Sequence, residues 1–446
     1  MKFIASSSDV EKYLNIDIKE YFLIKNISTD SRSIKKDSFF IAIKGERFNG
    51  NDYVKEAFNK GAVLALVDDP RFANIKNNRI IYVKNTIQAL ATMAGNIINN
   101  YDGKVVAITG SNGKTTTTNI ISSTLESSSS TLANFNNEIG LPLSIFNSSS
   151  KSDYLVYEIG ASKFNDINYL SKILKPDIGV ITNIGLSHLE SLKNKQGVLK
   201  VKSEIVNNIK KYGFLIVPDE NKSHLKHWKS LRSHINIVTF GLERSSDFHP
   251  LEINLNTNGV DFSVESKYLD KRFKINSKLE GNHNIVNILA SCAVHYCLKK
   301  NINEITKNIE SVIFNNSRSS KIKWIKGSTL IDDTYNANPD SARKSIDLLG
   351  NYNNKTYVIL GDMLELGKYK KKLHKEIGKY AKLKGIDIFI GFGELAKHAV
   401  DGFGNNGIFF KEESELKNYL KQNISKKDVI LIKGSRGMKM ERFVNV

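Results

Sequence analysis

Lys104-Val105-Val106-Ala107-Ile108-Thr109-Gly110-Ser111-Asn112-Gly113-Lys114-Thr115-Thr116 is the stretch that decides the fold of this chain. Val105 to Thr109 is a continuous apolar run of strand length, Gly110 to Gly113 turns, and the residues from Lys114 onward read as a helix. Strand, glycine turn and helix make a phosphate site, because a helix N-terminus presents unpaired amides and a favourable dipole to an anion. Here Gly110, Ser111, Asn112 and Gly113 let backbone amides approach phosphate oxygens. Lys114 neutralises β/γ charge, and a hydroxyl from Thr115 or Thr116 is suited to ligate magnesium. The spacing departs from the full Walker form at Ile108, where that pattern has its first glycine. A structural turn with an exposed lysine is the alternative, and the flanking strand and helix argue against it.

Further strands flank this unit. Tyr154-Leu155-Val156-Tyr157 and Asp177-Ile178-Gly179-Val180-Ile181-Thr182 read as buried strands separated by helical or loop segments, as a parallel sheet requires. A third section, beginning near residue 317, repeats the alternation at Tyr357 to Leu360, Ile386 to Ile390 and Val429 to Ile432. Upstream, Ser38 to Ile43 followed by the turn from Lys44 to Asn51 suggests a small α/β unit. With 446 residues, two or three cores are expected, and three are assigned. The expected fold class is α/β in three domains: an N-terminal α/β domain over 1–100, a central doubly wound parallel-sheet P-loop domain over 101–316, and a C-terminal Rossmann-like domain over 317–446. Serine-rich patches at Ser127 to Ser130 and Ser148 to Ser150 are read as loops.

Composition excludes several classes. Hydrophobic content of 40% and charged content of 25% are those of a soluble globular protein. No apolar run approaches the length of a membrane span and the start shows no export signal, so a cytoplasmic protein without membrane insertion is expected. Cys292 and Cys297 share one apolar segment and imply no structural disulfide. The formal charge of +19 would suit a nucleic-acid binder or an enzyme of polyanionic substrates, but lysines in every loop point to charge spread over solvated surfaces. No basic and aromatic stripe or nucleic-acid motif supports a nucleic-acid partner.

Glu158 directly follows one apolar strand and His188 lies shortly after another, placing both at the carboxyl edge of the sheet, where such folds bind ligands. A carboxylate and an imidazole beside a triphosphate suit magnesium; a helix-capping glutamate and a backbone-bonded histidine are the commoner uses. Asn284 and Asn287 stand one helical turn apart and are able to read an adenine edge, with helix capping as an equal alternative. Asp332-Asp333-Thr334-Tyr335-Asn336-Ala337-Asn338-Pro339 is crowded with groups able to bond ribose, phosphate or peptide, or to cap the following helix. Lys202, read from its surroundings alone, is one surface lysine among many. His224 and His227 share a helix face but lack the further ligands of a zinc site.

Together these motifs resemble the Mur ligases of cell-wall precursor synthesis along nearly the whole chain and in the same order. Thr109 to Thr116 resembles the family's ATP loop, and Thr131-Leu132-Ala133-Asn134-Phe135-Asn136-Asn137-Glu138-Ile139-Gly140-Leu141-Pro142 its substrate-contacting segment. Asp30-Ser31-Arg32 and Lys44 to Gly50 resemble its UDP-binding module, and Asp333 to Ser341 with Gly361-Asp362-Met363-Leu364-Glu365-Leu366-Gly367 the branch that adds D-alanyl-D-alanine. The Asp-Asn-Pro-Arg tetrapeptide of the preceding, diamino-acid-adding branch is absent.

The resemblance implies Thr115, Glu158, His188 and Lys202 as magnesium ligands, with Lys202 carbamylated, and Lys114, Lys202 and His188 as catalytic groups. It implies Gly110 to Thr116, Asn284, Asn287, Arg318 and Asp333 as ATP contacts. Ser31, Arg32, Asn134, Asn136, Asn137, Tyr335, Asn336 and Asn338 become substrate contacts. Arg318 lacks the glycine that usually precedes it in the family. The implied reaction joins D-alanyl-D-alanine to UDP-N-acetylmuramoyl-tripeptide in a monomeric enzyme using ATP and Mg2+. A folylpolyglutamate-type synthetase, which lacks the N-terminal module, and a basic nucleic-acid-dependent NTPase are the rival readings. A folate-acceptor assay and a salt-dependent binding assay separate them from the first.

Overall fold

The computed structural model describes all residues except 1, 47, 232, 257, 258 and 313–319, so the expectation for Arg318 lies outside the described residues. Among the described residues three sheets form. The first holds four parallel strands in chain order, Asn26–Ser28, Ser38–Ile41, Ala62–Val67 and Ile80–Tyr82. The second has nine strands within residues 104–277, and the third has six within residues 320–433.

The second sheet is built on Lys104–Thr109, five of whose six residues are buried, as a parallel strand covered on both faces requires. Tyr154–Glu158 pairs with it on one side and Ile178–Ile181 on the other, both parallel. The chain therefore leaves this strand first to one side and then to the other, opening a crevice at its carboxyl end. Phe214–Pro218 and Asn236–Phe240 continue the parallel array. Beyond them Phe248–Asn256 joins in parallel at Phe240, and Gly259–Ser266 and Phe273–Ser277 then follow antiparallel, an extension that the sequence reading did not anticipate.

Ser128–Ser130 is an edge strand paired in parallel with Tyr154 to Val156, which corrects its reading as a loop. Serine is a poor strand former, and here pairing with an already buried strand decides the conformation.

In the third sheet Thr329–Asp333, Val429–Lys433, Thr356–Gly361, Ile388–Phe392 and Gly407–Phe410 run parallel, with Ser320–Lys323 antiparallel on the edge. One continuous apolar core reaches from Phe3 and Ile4 through Tyr157 and Leu174 to Ile331, Val358 and Leu431, so all three sheets share buried contacts. No described helix is long and apolar enough to cross a membrane.

In the third unit the helices Lys370–Leu383 and Ala396–Phe403 cross with their backbones nearly touching at Gly378 and Gly402. A Cβ on Gly378 would stand 1.8 Å from the Ala399 carbonyl oxygen, which has no freedom to withdraw from its helix. Gly378→Ala is expected to cost about 1–3 kcal/mol through overpacking. Urea unfolding followed by circular dichroism reads this as a lower midpoint; a midpoint equal to the parent's would contradict the crossing.

Candidate functional site

The turn after Lys104–Thr109 is held by two glycines with positive φ. Gly110, at φ +148°, lies so close to Thr182 that a Cβ would stand 1.9 Å from Thr182 Oγ1. Gly113, at φ +80°, precedes the helix Lys114–Thr124, and a Cβ there would meet Asn287 Oδ1 at 2.6 Å. Only glycine fits either position without displacing a neighbour. The strand after it clamps the turn: Asn112 N donates to Asn183 Oδ1 at 3.0 Å, and Thr182 Oγ1 donates to Asn112 O at 2.5 Å. Lys114 Nζ donates to Gly110 O at 2.9 Å across the turn.

This turn lines a cavity of about 900 Å³, a size suited to a nucleotide-scale ligand. The structure gathers at its wall Ser111 to Thr116, Asn136, Asn137, Glu158, His188, Asn284, Asn287, Asp333, Tyr335, Asn336 and Asn338, from several of the motifs singled out in the second and third units. Gly110, Lys202 and Asn134 do not line it. Ser31 and Arg32 line neither this cavity nor its neighbour. They form a turn in the first unit, where the Arg32 guanidinium binds Asp30 at 2.7 Å and holds that carboxyl down to about 2.

Glu158 is the last residue of its strand and only 1% exposed. Its carboxylate is oriented by Thr115 Oγ1 and Asn136 Nδ2, each at 2.5 Å, so one hydroxyl of the phosphate loop and one asparagine of the 131–142 segment share one carboxylate. Asn287 accepts from Thr117 at 3.3 Å and donates to Asn284 at 3.2 Å, while Asn284 also donates to Glu280 O at 2.8 Å. The two asparagines thus join the loop helix to the start of Asn282–Cys297, and neither side chain caps that helix.

Lys202 corrects its reading as a surface side chain: it is 1% exposed, on the inner face of Lys195–Ser203. Burial, aided by the nearby charge of Lys114, lowers its pKa to about 7. Among the described residues no cluster of three or more His, Cys, Asp or Glu is arranged to hold a metal. The expected set instead mixes a hydroxyl, a carboxylate, an imidazole and a lysine. A hard cation that takes most of its remaining oxygens from phosphate and water needs no more than one or two carboxylates, so the contacting Thr115 hydroxyl and Glu158 carboxylate suit magnesium, and a lysine would join them only as a carbamate.

The third unit closes the cavity. Asn338 caps the helix Pro339–Leu349 through Ser341 N and donates Nδ2 to Asn112 Oδ1 at 2.7 Å. Asp340 Oδ2 accepts from Leu186 N at 2.6 Å. Asp333 is engaged by Ser345 at 2.6 Å and by Lys433 at 2.5 Å, a buried ion pair on the cavity wall. Sequence reasoning missed Lys433, Ser345, Lys344 and His283, all of which line the cavity. It also missed Glu365, whose carboxylate lies 2.6 Å from His188 Nδ1 and is held below its usual pKa by that ring. No local signal in the sequence marks the first four, and Glu365 stood out only as part of the Gly361 to Gly367 motif, without a role.

Comparison with known proteins follows the same order along the chain. Residues 23–98 match the Mur ligase family catalytic domain, 108–295 the Mur ligase middle domain, and 317–436 the Mur ligase glutamate ligase domain. The UDP-N-acetylmuramoyl-tripeptide--D-alanyl-D-alanine ligase of Bacillus subtilis is 33% identical, over 95% of this chain and 93% of the relative. The ligase of the same name from Haemophilus influenzae is 33% identical, over 94% and 92%. A crystal structure of MurF from Acinetobacter baumannii superposes with a TM-score of 0.87 at 28% identity, covering 98% of this chain and 97% of that one. MurF from Thermotoga maritima in complex with ADP gives 0.82 at 28% identity, covering 94% and 96%.

The burial of Lys202 has a pH signature. Its pKa falls from the usual 10.5 to about 7 in the folded chain. Below about pH 7 both states hold the proton and the folded state bears the full cost of a buried ammonium. Above that the unfolded state binds more protons, so this group makes stability rise until about pH 10.5. Lys202→Met is expected to be more stable than the parent below pH 7 and to lose this rise, read by chemical unfolding across pH 6 to 10. Parallel pH profiles for the two chains would sink the assignment.

Proposed function

The chain belongs to the Mur ligase family and is an ATP-dependent ligase of that class, and from this premise we propose that it joins D-alanyl-D-alanine to UDP-N-acetylmuramoyl-tripeptide. The observation that carries the reading is the closure of one cavity by the phosphate loop on one wall and the Asp333 to Ser341 segment on the other. Full-length likeness to ligases of that name supports the choice of substrates.

The terminal carboxylate of the tripeptide attacks the γ-phosphorus of ATP, forming an acyl phosphate and releasing ADP. The free amine of D-alanyl-D-alanine then attacks the acyl carbon, phosphate leaves, and the amine gives up a proton as the amide forms. Such chemistry asks the protein chiefly for positioning and charge stabilisation. The division of work we propose gives residues 1–100, with Ser31 and Arg32, the uridine diphosphate end. Residues 101–316 hold ATP on the loop, with Asn284 and Asn287 toward the base, and residues 317–446 present the incoming dipeptide near Tyr335, Asn336 and Asn338.

Lys114 offsets charge on the transferring phosphoryl group, and Asp333, fixed by Lys433, contacts the nucleotide. Thr115, Glu158, His188 and Lys202 would hold magnesium, which when bound supplies further positive charge to the triphosphate. Lys202 suits this role as a carbamate. An amine with a pKa near 7 is substantially neutral and nucleophilic toward carbon dioxide, and the Lys114 charge that disfavours its ammonium favours the carbamate anion. The proposal describes a cytoplasmic, monomeric enzyme of peptidoglycan precursor synthesis.

The test is phosphate release from ATP with UDP-N-acetylmuramoyl-tripeptide, with and without D-alanyl-D-alanine, followed by mass analysis. Dipeptide-dependent release with a UDP-linked pentapeptide product is expected; release independent of the dipeptide would reject this amine donor.

A further inference from the structure

Gly361 to Gly367 contributes no residue to the cavity wall, yet its conformation is heavily determined. Asp362 Oδ1 accepts from Leu395 N and Ala396 N at 2.9 and 2.7 Å, tying the start of the loop to a helix N-terminus. Met363 N donates to His374 Nε2 at 2.9 Å, and the opposite nitrogen of that buried ring contacts Lys370 O at 2.6 Å. The ring is therefore fixed as the Nδ1–H tautomer. Burial lowers its pKa to about 4, so it stays a neutral acceptor across the physiological range. Leu364 N donates to Ser435 Oγ at 2.8 Å. Three successive residues are thus pinned, and the next, Glu365, adopts φ +62°, a left-handed conformation that non-glycine residues seldom occupy.

That conformation carries the Glu365 carboxylate across to the second unit, where Oε2 lies 2.6 Å from His188 Nδ1. The Glu365 carbonyl accepts from Glu190 N at 3.0 Å, so backbone and side chain of one residue grip the same short helix. His188 is also left-handed, at φ +51°. Its Nδ1 is buried and, among the described residues, has no partner but Glu365, whose approach is off the ideal N–H direction, while His188 lines the cavity. Contacts of this kind tighten when ligands bind. An imidazole with one nitrogen held by a carboxylate has its tautomer and orientation fixed at the other.

We propose that Glu365 is a positioning residue for ligation: it accepts the Nδ1 proton of His188 and so aims Nε2 into the phosphate cavity only when the third unit is docked. The inference rests on the placement of His188 in the ATP site proposed above. It makes the loop from Gly361 to Gly367 the means by which docking completes that site, so that ATP is committed only in the closed enzyme.

The test compares Glu365→Ala, Glu365→Gln, His188→Ala and the His188→Ala/Glu365→Ala double variant of the full chain. It measures kcat, the KM for each substrate, thermal unfolding, and the long-range 1H–15N NMR signature of the His188 ring. Glu365→Ala is expected to lower kcat about tenfold to a hundredfold, the usual effect of removing a carboxylate behind a working histidine. KM for the UDP-linked tripeptide and the melting temperature should stay unchanged. The His188 ring should lose its single Nδ1–H tautomer, Gln should restore most of the rate, and the double variant should be no slower than His188→Ala. Wild-type kcat and an unaltered ring in Glu365→Ala, a Gln variant as slow as Ala, or independent losses in the double variant would each overturn the proposal. If His188→Ala itself kept full activity, the fault would lie in the placement of His188 in the ATP site.

Discussion

The hydrogen bond from Asn338 Nδ2 to Asn112 Oδ1, 2.7 Å long, is the contact on which the cavity depends. Asn112 sits in the phosphate turn, immobilised by Asn183 and Thr182, and Asn338 is the cap of a helix in another sheet's unit. Where they meet, two helices direct their N-termini toward one volume, Lys114–Thr124 from one wall and Pro339–Leu349 from the other. The first of these ends has no side-chain cap and presents its amides to an anion, whereas the second is already capped by Asn338 and begins with a proline, so it contributes mainly its dipole. The Asp340 contact to Leu186 N and the Glu365 contact to His188 lie beside it and depend on the same docking.

The electrostatics follow from that geometry. The cavity gathers Lys114, Lys163, Lys344 and Lys433 with the buried Lys202 behind it, against Glu138, Glu158, Asp166 and Asp333. Asp333 is occupied by Lys433 and Ser345, and Glu158 by Thr115 and Asn136, so both carboxylates are oriented before any ligand arrives. Preorganised groups of this kind act without reorganising during the reaction. The excess of lysine over the whole chain is a separate matter: cavity cations are few, with Lys114 and Lys433 held by hydrogen bonds, whereas most lysines are solvated.

What the sequence made legible was local. The strand from Lys104, the glycine turn and the helix from Lys114 could be read directly because apolar run, turn residues and helix start are contiguous, and the strands at Tyr154, Ile178, Tyr357 and Val429 followed from the same pattern. The position of Glu158 and His188 near the carboxyl ends of parallel strands was legible for the same reason. The burial of Lys202 was not, since its helix carries Lys195 and Lys200 as well and only packing against distant residues distinguishes it. Nor was the Ser128–Ser130 strand, imposed by its partner, or the Glu365 contact, made by two left-handed residues far apart in sequence. Family resemblance pointed to Lys202 and to the loop around Glu365; it did not supply the geometry.

Whether docking of the third unit onto the phosphate turn builds the working site is tested most directly by a double-mutant cycle. The four chains are the parent, Asn112→Ala, Asn338→Ala and the pair, and the quantity is kcat/KM for ATP in the ligation reaction. Groups in direct contact within one network couple by about 0.5–3 kcal/mol, and a coupling in that range is the result this account predicts. Losses that simply add, leaving no coupling energy, would mean that the two walls act independently and that the contact does not assemble the site.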